Sequence, residues 1–263
     1  MDILHPPAPM ATERSEPNAA GGPCNDAEVT ATVRVAGPLR FMLAVRRRDG
    51  VAEVAVDGTS TLVHVVEALG VPRTEFGELL VNGRPARPHS RLRDGDVLDV
   101  TVRPRPQRTE YSRFVLDVHL GALARRMRLL GIDVAYRNDA SDDDLVAQAA
   151  SEQRILLTQD RRLLCRRALV AGGYVSGDEP DEQLADVLDR FAPDLRPWSR
   201  CPACNGVLER VAKRQVDHLL LEGTRRSYTQ FSQCQSCGRP YWRGAHTERL
   251  EEIVATAAIT PGR

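Results

Sequence analysis

Two sets of residues in this chain have the types and spacing that chemistry requires. The first is acidic. Asp117 closes the apolar run Arg113-Phe114-Val115-Leu116, and Asp160 closes Arg154-Ile155-Leu156-Leu157-Thr158-Gln159. Asp142, Asp143 and Asp144 lie between them, and Asp178 lies beyond. Carboxylates converging on one crevice suit Mg²⁺ or Mn²⁺, hard cations that take oxygen ligands and keep several waters. Such an ion activates a water, neutralises phosphodiester oxygens and stabilises the leaving oxygen of an in-line displacement. The second set is sulfur. Cys201-Pro202-Ala203-Cys204 and Cys234-Gln235-Ser236-Cys237 are two C-x₂-C knuckles, each with a glycine close behind. Four thiolates so spaced complete the closed tetrahedron of a structural Zn²⁺ site. An iron–sulfur centre and redox dithiols are the competing readings.

The acids need a frame that brings strand ends together. The runs ending at Asp117 and Asp160 read as buried strands, and the period between them is helical. Leu120, Leu123, Ala124, Met127 and Leu130 share one helix face, with Arg125, Arg126 and Arg128 opposite, and Gly131 stops the helix. A strand over 131–136 follows, then Ser141 caps a helix over 142–152, and a further helix runs over 161–170. Gly173-Tyr174-Val175 is the next strand, and a helix carrying Leu184, Val187, Leu188 and Phe191 follows. Strands alternating with helices imply βαβ units and a parallel sheet with its crevice at the carboxyl ends of the strands. Asp117 and Asp160 both fall there. Among the three consecutive acids, Asp142 is the first candidate ligand and Asp144 the second, against the plain role of filling a helix first turn. Asp178 is a fourth acid or a helix cap. His119 stays unassigned, and Cys165 reads as a packing residue.

Charge is balanced, with 36 basic and 36 acidic residues among 263, so any nucleic-acid surface must be local. Residues 1–28 have the composition of a disordered tail, in which Cys24 is incidental. They lack a signal peptide's basic start and apolar run, and no later stretch is apolar enough to span a bilayer. A soluble cytoplasmic protein without a membrane partner is expected. From 29 to 103 the order is two strands, a helix capped by Ser60 or Thr61, and further short strands with a tight turn at Asn82-Gly83. Arg103-Pro104-Arg105-Pro106-Gln107-Arg108 is a semi-rigid basic stretch, read equally as a spacer and as a phosphate-contacting strap.

Residues 29–103 resemble the β-grasp fold of ubiquitin-like and sulfur-carrier proteins, through Leu69-Gly70-Val71-Pro72, Val81-Asn82-Gly83 and Asp94-Gly95-Asp96. Sulfur carriers end in a free Gly-Gly, whereas this strand runs on into the Pro/Arg stretch, so docking or substrate positioning is the expected role. Phe114-Val115-Leu116-Asp117, Leu120 through Arg125, Leu129-Leu130-Gly131 and Arg154 through Arg161 resemble the PIN-like ribonuclease domain. The module named after the C-terminal region of the Mut-seven exonuclease is similar, and in bacteria it stands behind a ubiquitin-like domain. Tyr241-Trp242-Arg243-Gly244-Ala245-His246 is similar to the end of that family's zinc ribbon. The resemblance implies metal-dependent RNA cleavage through Asp117, a member of Asp142 to Asp144, and Asp160.

The expected architecture is α/β: a disordered tail (1–28), a ubiquitin-like β-grasp domain (29–103), a basic linker (104–112), a PIN-like nuclease domain (113–197), a zinc ribbon (198–248) and a C-terminal tail (249–263). Between the knuckles, β-hairpins are expected. Arg125, Arg126, Arg128, Arg161 and Trp242 are the candidate RNA contacts, with tRNA among the possible substrates. Lys213, Arg214, Arg225, Arg226 and Arg239, interleaved with Tyr228, Phe231, Tyr241 and His246, add a second basic and aromatic surface; Phe231 is assigned to the ribbon's core and Trp242 to its exterior. The alternatives are a non-catalytic RNA- or ribosome-binding protein, and an adaptor that docks a protein partner through its β-grasp domain.

Overall fold

The computed structural model describes residues 29–242 together with Glu252 and Ala255. The expected N-terminal tail with Cys24, the position of His246 and most of the expected C-terminal tail (249–263) lie outside the described residues.

Alternating apolar residues in β1 (Thr30–Val35) bury Ala31, Val33 and Val35 on one face. β1 pairs antiparallel with β2 (Val51–Ala55) and parallel with β5 (Val97–Val102). The connection from β1 to β2 is not a tight hairpin. It winds through two 3₁₀ turns that send Leu39, Met42 and Leu43 into the core. Helix α1 (Leu62–Ala68), capped by the Thr61 hydroxyl on the His64 amide, lays Leu62 and Val66 across the sheet. β3 (Phe76–Val81) turns into β4 (Arg84–Pro85) through Asn82 and Gly83, both at positive φ, the geometry a two-residue hairpin turn demands. The sheet order β2-β1-β5-β3-β4 is that of a β-grasp fold.

The second sheet is wholly parallel, in the order β7-β6-β8-β9, from β6 (Arg113–Leu116), β7 (Asp133–Tyr136), β8 (Ile155–Thr158) and β9 (Gly172–Tyr174). Its strands are apolar on both faces because helices cover both. Phe114, Leu116, Ile155 and Leu157 pack under α2 (Gly121–Leu129) and α5 (Pro180–Phe191), while Val115 and Leu156 pack under α3 (Asp142–Ser151) and α4 (Arg161–Leu164). Helix α4 is a single turn, where a helix to residue 170 was expected. Leu164 and Leu169 are both buried, yet five residues along an α-helix they would point about 140° apart, so the chain breaks into successive turns to bury both.

The last sheet is antiparallel, β10-β11-β12, from β10 (Leu208–Val211), β11 (Phe231–Cys234) and β12 (Pro240–Trp242). The insert between the knuckles is helical rather than a set of hairpins. It contains α6 (Lys213–Val216) and α7 (Glu222–Ser227), and the i, i+4 pair Val216 and Leu220 closes a small core with Phe231. Phe231 is buried, as expected.

The first two units are fastened together. The Arg190 guanidinium donates to both Glu75 carboxylate oxygens at 2.8 and 3.0 Å and to the Thr74 and Tyr174 carbonyls, while Glu75 also accepts the Tyr174 amide. Arg105 of the linker pairs with Asp186 and Asp189 of α5, each at 2.8 Å, so that arginine is a strap onto the helix.

Candidate active site and metal centre

Hydrogen bonding along parallel strands sets Asp117 and Asp160 just beyond the ends of neighbouring β6 and β8, where the Asp117 amide donates to the Leu157 carbonyl. Asp117 is buried. One of its oxygens accepts the Val118 amide at 2.6 Å, and the other accepts the Thr158 hydroxyl at 2.5 Å. The same hydroxyl oxygen accepts the Asp160 amide at 2.8 Å, so Thr158 couples the two acids. Asp160 is exposed at the N-terminus of α4, where it accepts the Arg162 amide. Thr158 was not singled out from sequence, although a hydroxyl residue two places before an acid at a strand end is the available signal.

The next strand end carries the three consecutive acids. Ser141 and Asp144 form a reciprocal capping box at the start of α3, and Asp144 lies 3.9 Å from Arg137. Its hydrogen bonds to Ser141 hold its pKa below the usual aspartate value. Asp142 and Asp143 face Arg166, at 3.9 and 3.1 Å. Asp178 is exposed and its amide donates to Glu182, and the residue that caps α5 is Glu179. Among the described residues, the one group of three or more metal-ligating side chains within mutual reach is the cysteine cluster, so Asp117 and Asp160 form no such group with a third acid. His119 is exposed beside Asp117 on the following 3₁₀ turn.

The arginine face of α2 is divided. Arg125 is exposed, and Arg126 pairs with Asp181 at 2.8 Å. Arg128 does not belong to the solvent face, which corrects its assignment as an RNA contact. It is buried, and its guanidinium donates to the Val134, Pro202 and Ala203 carbonyls, tying α2 to the first cysteine knuckle. Arg161 donates to the Met42 carbonyl of the β-grasp unit. In the helical insert Lys213 donates to the Arg225 carbonyl, while Arg225 pairs with Asp217 and Arg226 with Glu222, so the two arginines are matched by local acids. Trp242 is partly exposed against Tyr228 and Phe231, at the edge of a groove of about 230 Å³ that Trp198 and Arg210 also line.

All four sulfurs of Cys201, Cys204, Cys234 and Cys237 lie within 4.8 Å of one another, with Cys201 to Cys237 at 3.8 Å and Cys204 to Cys234 at 3.4 Å. A Zn–S bond of about 2.3 Å gives a tetrahedron whose edges are about 3.8 Å, so the donor set fits zinc. Burial opposes ionisation of Cys201, but the Tyr241 hydroxyl and the amides of Cys204 and Ala203 bring it down to about 7. Burial and the crowding of Cys234 and Cys237 push Cys204 up to about 12, so a cation among the sulfurs is what would let all four be thiolates. A side chain at Gly206 would place its Cβ 2.8 Å from the Cys234 sulfur, which is why the knuckle needs glycine there.

With this geometry in place, comparison with protein families is decisive. The description "Mut7-C RNAse domain" matches residues 112–254, more than half of the chain, and "Mut7-C ubiquitin" matches residues 28–110. The chain belongs to the Mut7-C RNAse family. Comparison with curated proteins and with solved structures gives no match. The Mut7-C RNAse match takes in the parallel sheet with Asp117 and Asp160 and the four cysteines, and the Mut7-C ubiquitin match takes in the β-grasp sheet. Membership points to a nuclease-type function for the parallel-sheet unit and RNA as its substrate class. Among the described residues, no helix of this Mut7-C chain is long and apolar enough to cross a membrane.

Proposed function

We propose that the chain is a metal-dependent ribonuclease that hydrolyses RNA phosphodiester bonds at the carboxyl ends of β6 and β8. The observation that carries this reading is the coupling of Asp117 and Asp160 through the Thr158 hydroxyl. Both acids offer hard oxygen donors, and each retains lone pairs beyond its internal hydrogen bonds, which suits Mg²⁺ or Mn²⁺. Either ion, when bound, supplies an activated water and charge neutralisation at the phosphodiester. Asp117 and Asp160 would hold it. Thr158 fixes the Asp117 carboxylate, and burial of that carboxylate excludes competing water from one side. A member of Asp142 to Asp144 joins them once its arginine partner is drawn off by the phosphate chain, and Arg125 with Arg126 positions the strand by phosphate contact. The domain boundaries follow the same proposal: 29–103 positions or docks, 113–197 cuts, and the ribbon from 198 holds its shape through zinc.

The observation favouring a second reading is the pairing of Asp142 and Asp143 with Arg166 and of Asp144 with Ser141, which leaves two acids in the crevice. On that reading the chain binds RNA or the ribosome without cutting. Cleavage of end-labelled tRNA and of an unstructured RNA, with Mn²⁺, Mg²⁺ or no added divalent ion, separates the two. Metal-dependent cutting lost in both Asp117→Asn and Asp160→Asn supports the nuclease; intact RNA that is still bound supports the second reading.

A further inference from the structure

A cleft of about 510 Å³ opens between the β-grasp unit, the linker and the nuclease unit. It lies at the start of β8 and β9, beside Ile155 and Gly172, whereas Asp117 and Asp160 lie beyond the opposite ends of β6 and β8, about 10 Å along the sheet. Its size is that of a small-ligand site, and domain boundaries are where such sites concentrate. Arg73, Arg103, Arg108 and His89 line it, and no carboxylate does. In a chain with equal numbers of acidic and basic residues, that segregation is local and specific.

The charges are not equivalent. Arg73 is neutralised by Glu67, at 2.7 Å, and the Arg190 beneath by Glu75. Arg103 donates to the Phe76 and Arg73 carbonyls and forms no ion pair of its own, the nearby Glu75 being paired with Arg190. Burial and the neighbouring Arg190 charge lower its pKa, and the Glu75 charge only partly opposes them. Arg108 stands exposed on the same wall, and half-buried Tyr111, packed in part against the nuclease core, lines the cleft three residues later. Arg105, the remaining arginine of the Pro/Arg stretch, is turned away onto α5, so the linker presents Arg103 and Arg108 to the cleft and Arg105 to the scaffold.

We propose that this cleft binds the phosphate group of a nucleotide, with Arg103 and Arg108 on the oxyanion and Tyr111 against the base. A guanidinium's planar fork matches phosphate oxygens bidentately, and the aromatic ring accepts any base by stacking. The phosphate comes from a free nucleotide or from the 5′ end of an RNA strand. The site is independent of the acids, so it stands whether or not the chain cuts RNA.

The test is isothermal titration of the full chain, without divalent ions, with AMP, adenosine, inorganic phosphate, and a short RNA carrying either a 5′-phosphate or a 5′-hydroxyl. AMP or the 5′-phosphorylated RNA binds, adenosine does not, and Arg108→Ala weakens binding about tenfold or more, as loss of a charge-assisted contact implies. Arg48→Ala, an exposed arginine of the β-grasp unit outside the cleft, leaves the affinity for AMP unchanged. Stronger binding of AMP than of the phosphorylated RNA identifies the free nucleotide as ligand, and the reverse identifies the strand end. Failure of AMP, phosphate and RNA alike to bind overturns the proposal, as does equal affinity for AMP in Arg108→Ala, or an equal loss of AMP binding in Arg48→Ala.

Discussion

Arg190 of the nuclease unit and Glu75 of the β-grasp unit form a two-pronged ion pair, at 2.8 and 3.0 Å, that is almost wholly removed from water. A buried pair gains little over apolar packing, but breaking it strands the remaining charge. Glu75→Ala should therefore cost about 3–5 kcal/mol, read from urea unfolding. The same substitution should accelerate proteolysis within the linker, because Gln107 donates its amide to the Arg190 carbonyl. A double replacement of Glu75 and Arg190 by leucine should recover much of the loss. Equal stability of Glu75→Ala and the wild type would show that the units are held elsewhere.

Thr158 donates to the Asp117 carboxylate and accepts the Asp160 backbone amide, so removing its hydroxyl frees the Asp117 carboxylate and loosens the backbone that carries Asp160 without changing the strand. Thr158→Val, close in shape, should fold normally and lower the maximal rate of RNA cleavage about tenfold or more, since a hydrogen bond to a charged group contributes about 1.5–3 kcal/mol. Thr158→Ser should retain most activity. Unchanged rates in Thr158→Val would remove the hydroxyl from the mechanism.

For the ribbon, Cys201→Ser with Cys234→Ser should lower bound zinc from one ion per chain to none, measured by a chromogenic chelator. Structural zinc contributes about 10–16 kcal/mol of apparent binding energy in small modules, more than this core of Val216, Leu220 and Phe231 can replace. Limited proteolysis should then cut within the residues from 200 onward while the two preceding units stay intact. A protease-resistant ribbon without zinc would show that the helical insert suffices.

Acid sensitivity should concentrate on Asp133. Burial works against its charge, but Arg154 and Asn205 hydrogen-bond to it and Arg154 and Arg200 lend their charges, so its pKa falls below the usual aspartate value. A depressed carboxylate pKa means that the proton binds the unfolded chain more readily. The stabilisation is complete above the unfolded value near 3.9, by about pH 5, and is lost as pH falls through the lower folded value. Asp133→Asn should be less stable at pH 7 and show a shallower fall in stability below about pH 4, as followed by circular dichroism. Parallel acid limbs in variant and wild type would count against the assignment.

The parts legible in the sequence were those set by local pattern. Apolar runs closed by Asp117 and Asp160 marked strand ends, Asn82-Gly83 marked a hairpin, and the C-x₂-C pairs marked the sulfur cluster, because each depends on neighbours a few residues away. What stayed hidden depends on distant partners. Helical spacing places Arg128 among charged neighbours, but the Pro202 and Ala203 carbonyls that bury it lie over seventy residues on. The short α4 and the helical insert were missed for a related reason, since tertiary burial of Leu169 and of Val216 decided the local backbone. For the candidate acids, the strand-end placement of Asp117 and Asp160 follows from strand pattern, whereas the arginine pairing of Asp142 and Asp143 belongs to the folded chain.

The parallel sheet has two outer strands, β7 and β9, and on each an outward-facing amide is taken by a side chain from a flanking unit: Val134 by Asn205 of the first cysteine knuckle, Tyr174 by Glu75. Exposed strand edges are templates for pairing with other chains, and proteins normally blunt them. Here the neighbouring modules act as edge guards. Loss of zinc or of the Glu75 contact therefore uncovers a pairing surface, and the expected consequence is self-association that grows with protein concentration, a solubility role for the two flanking modules.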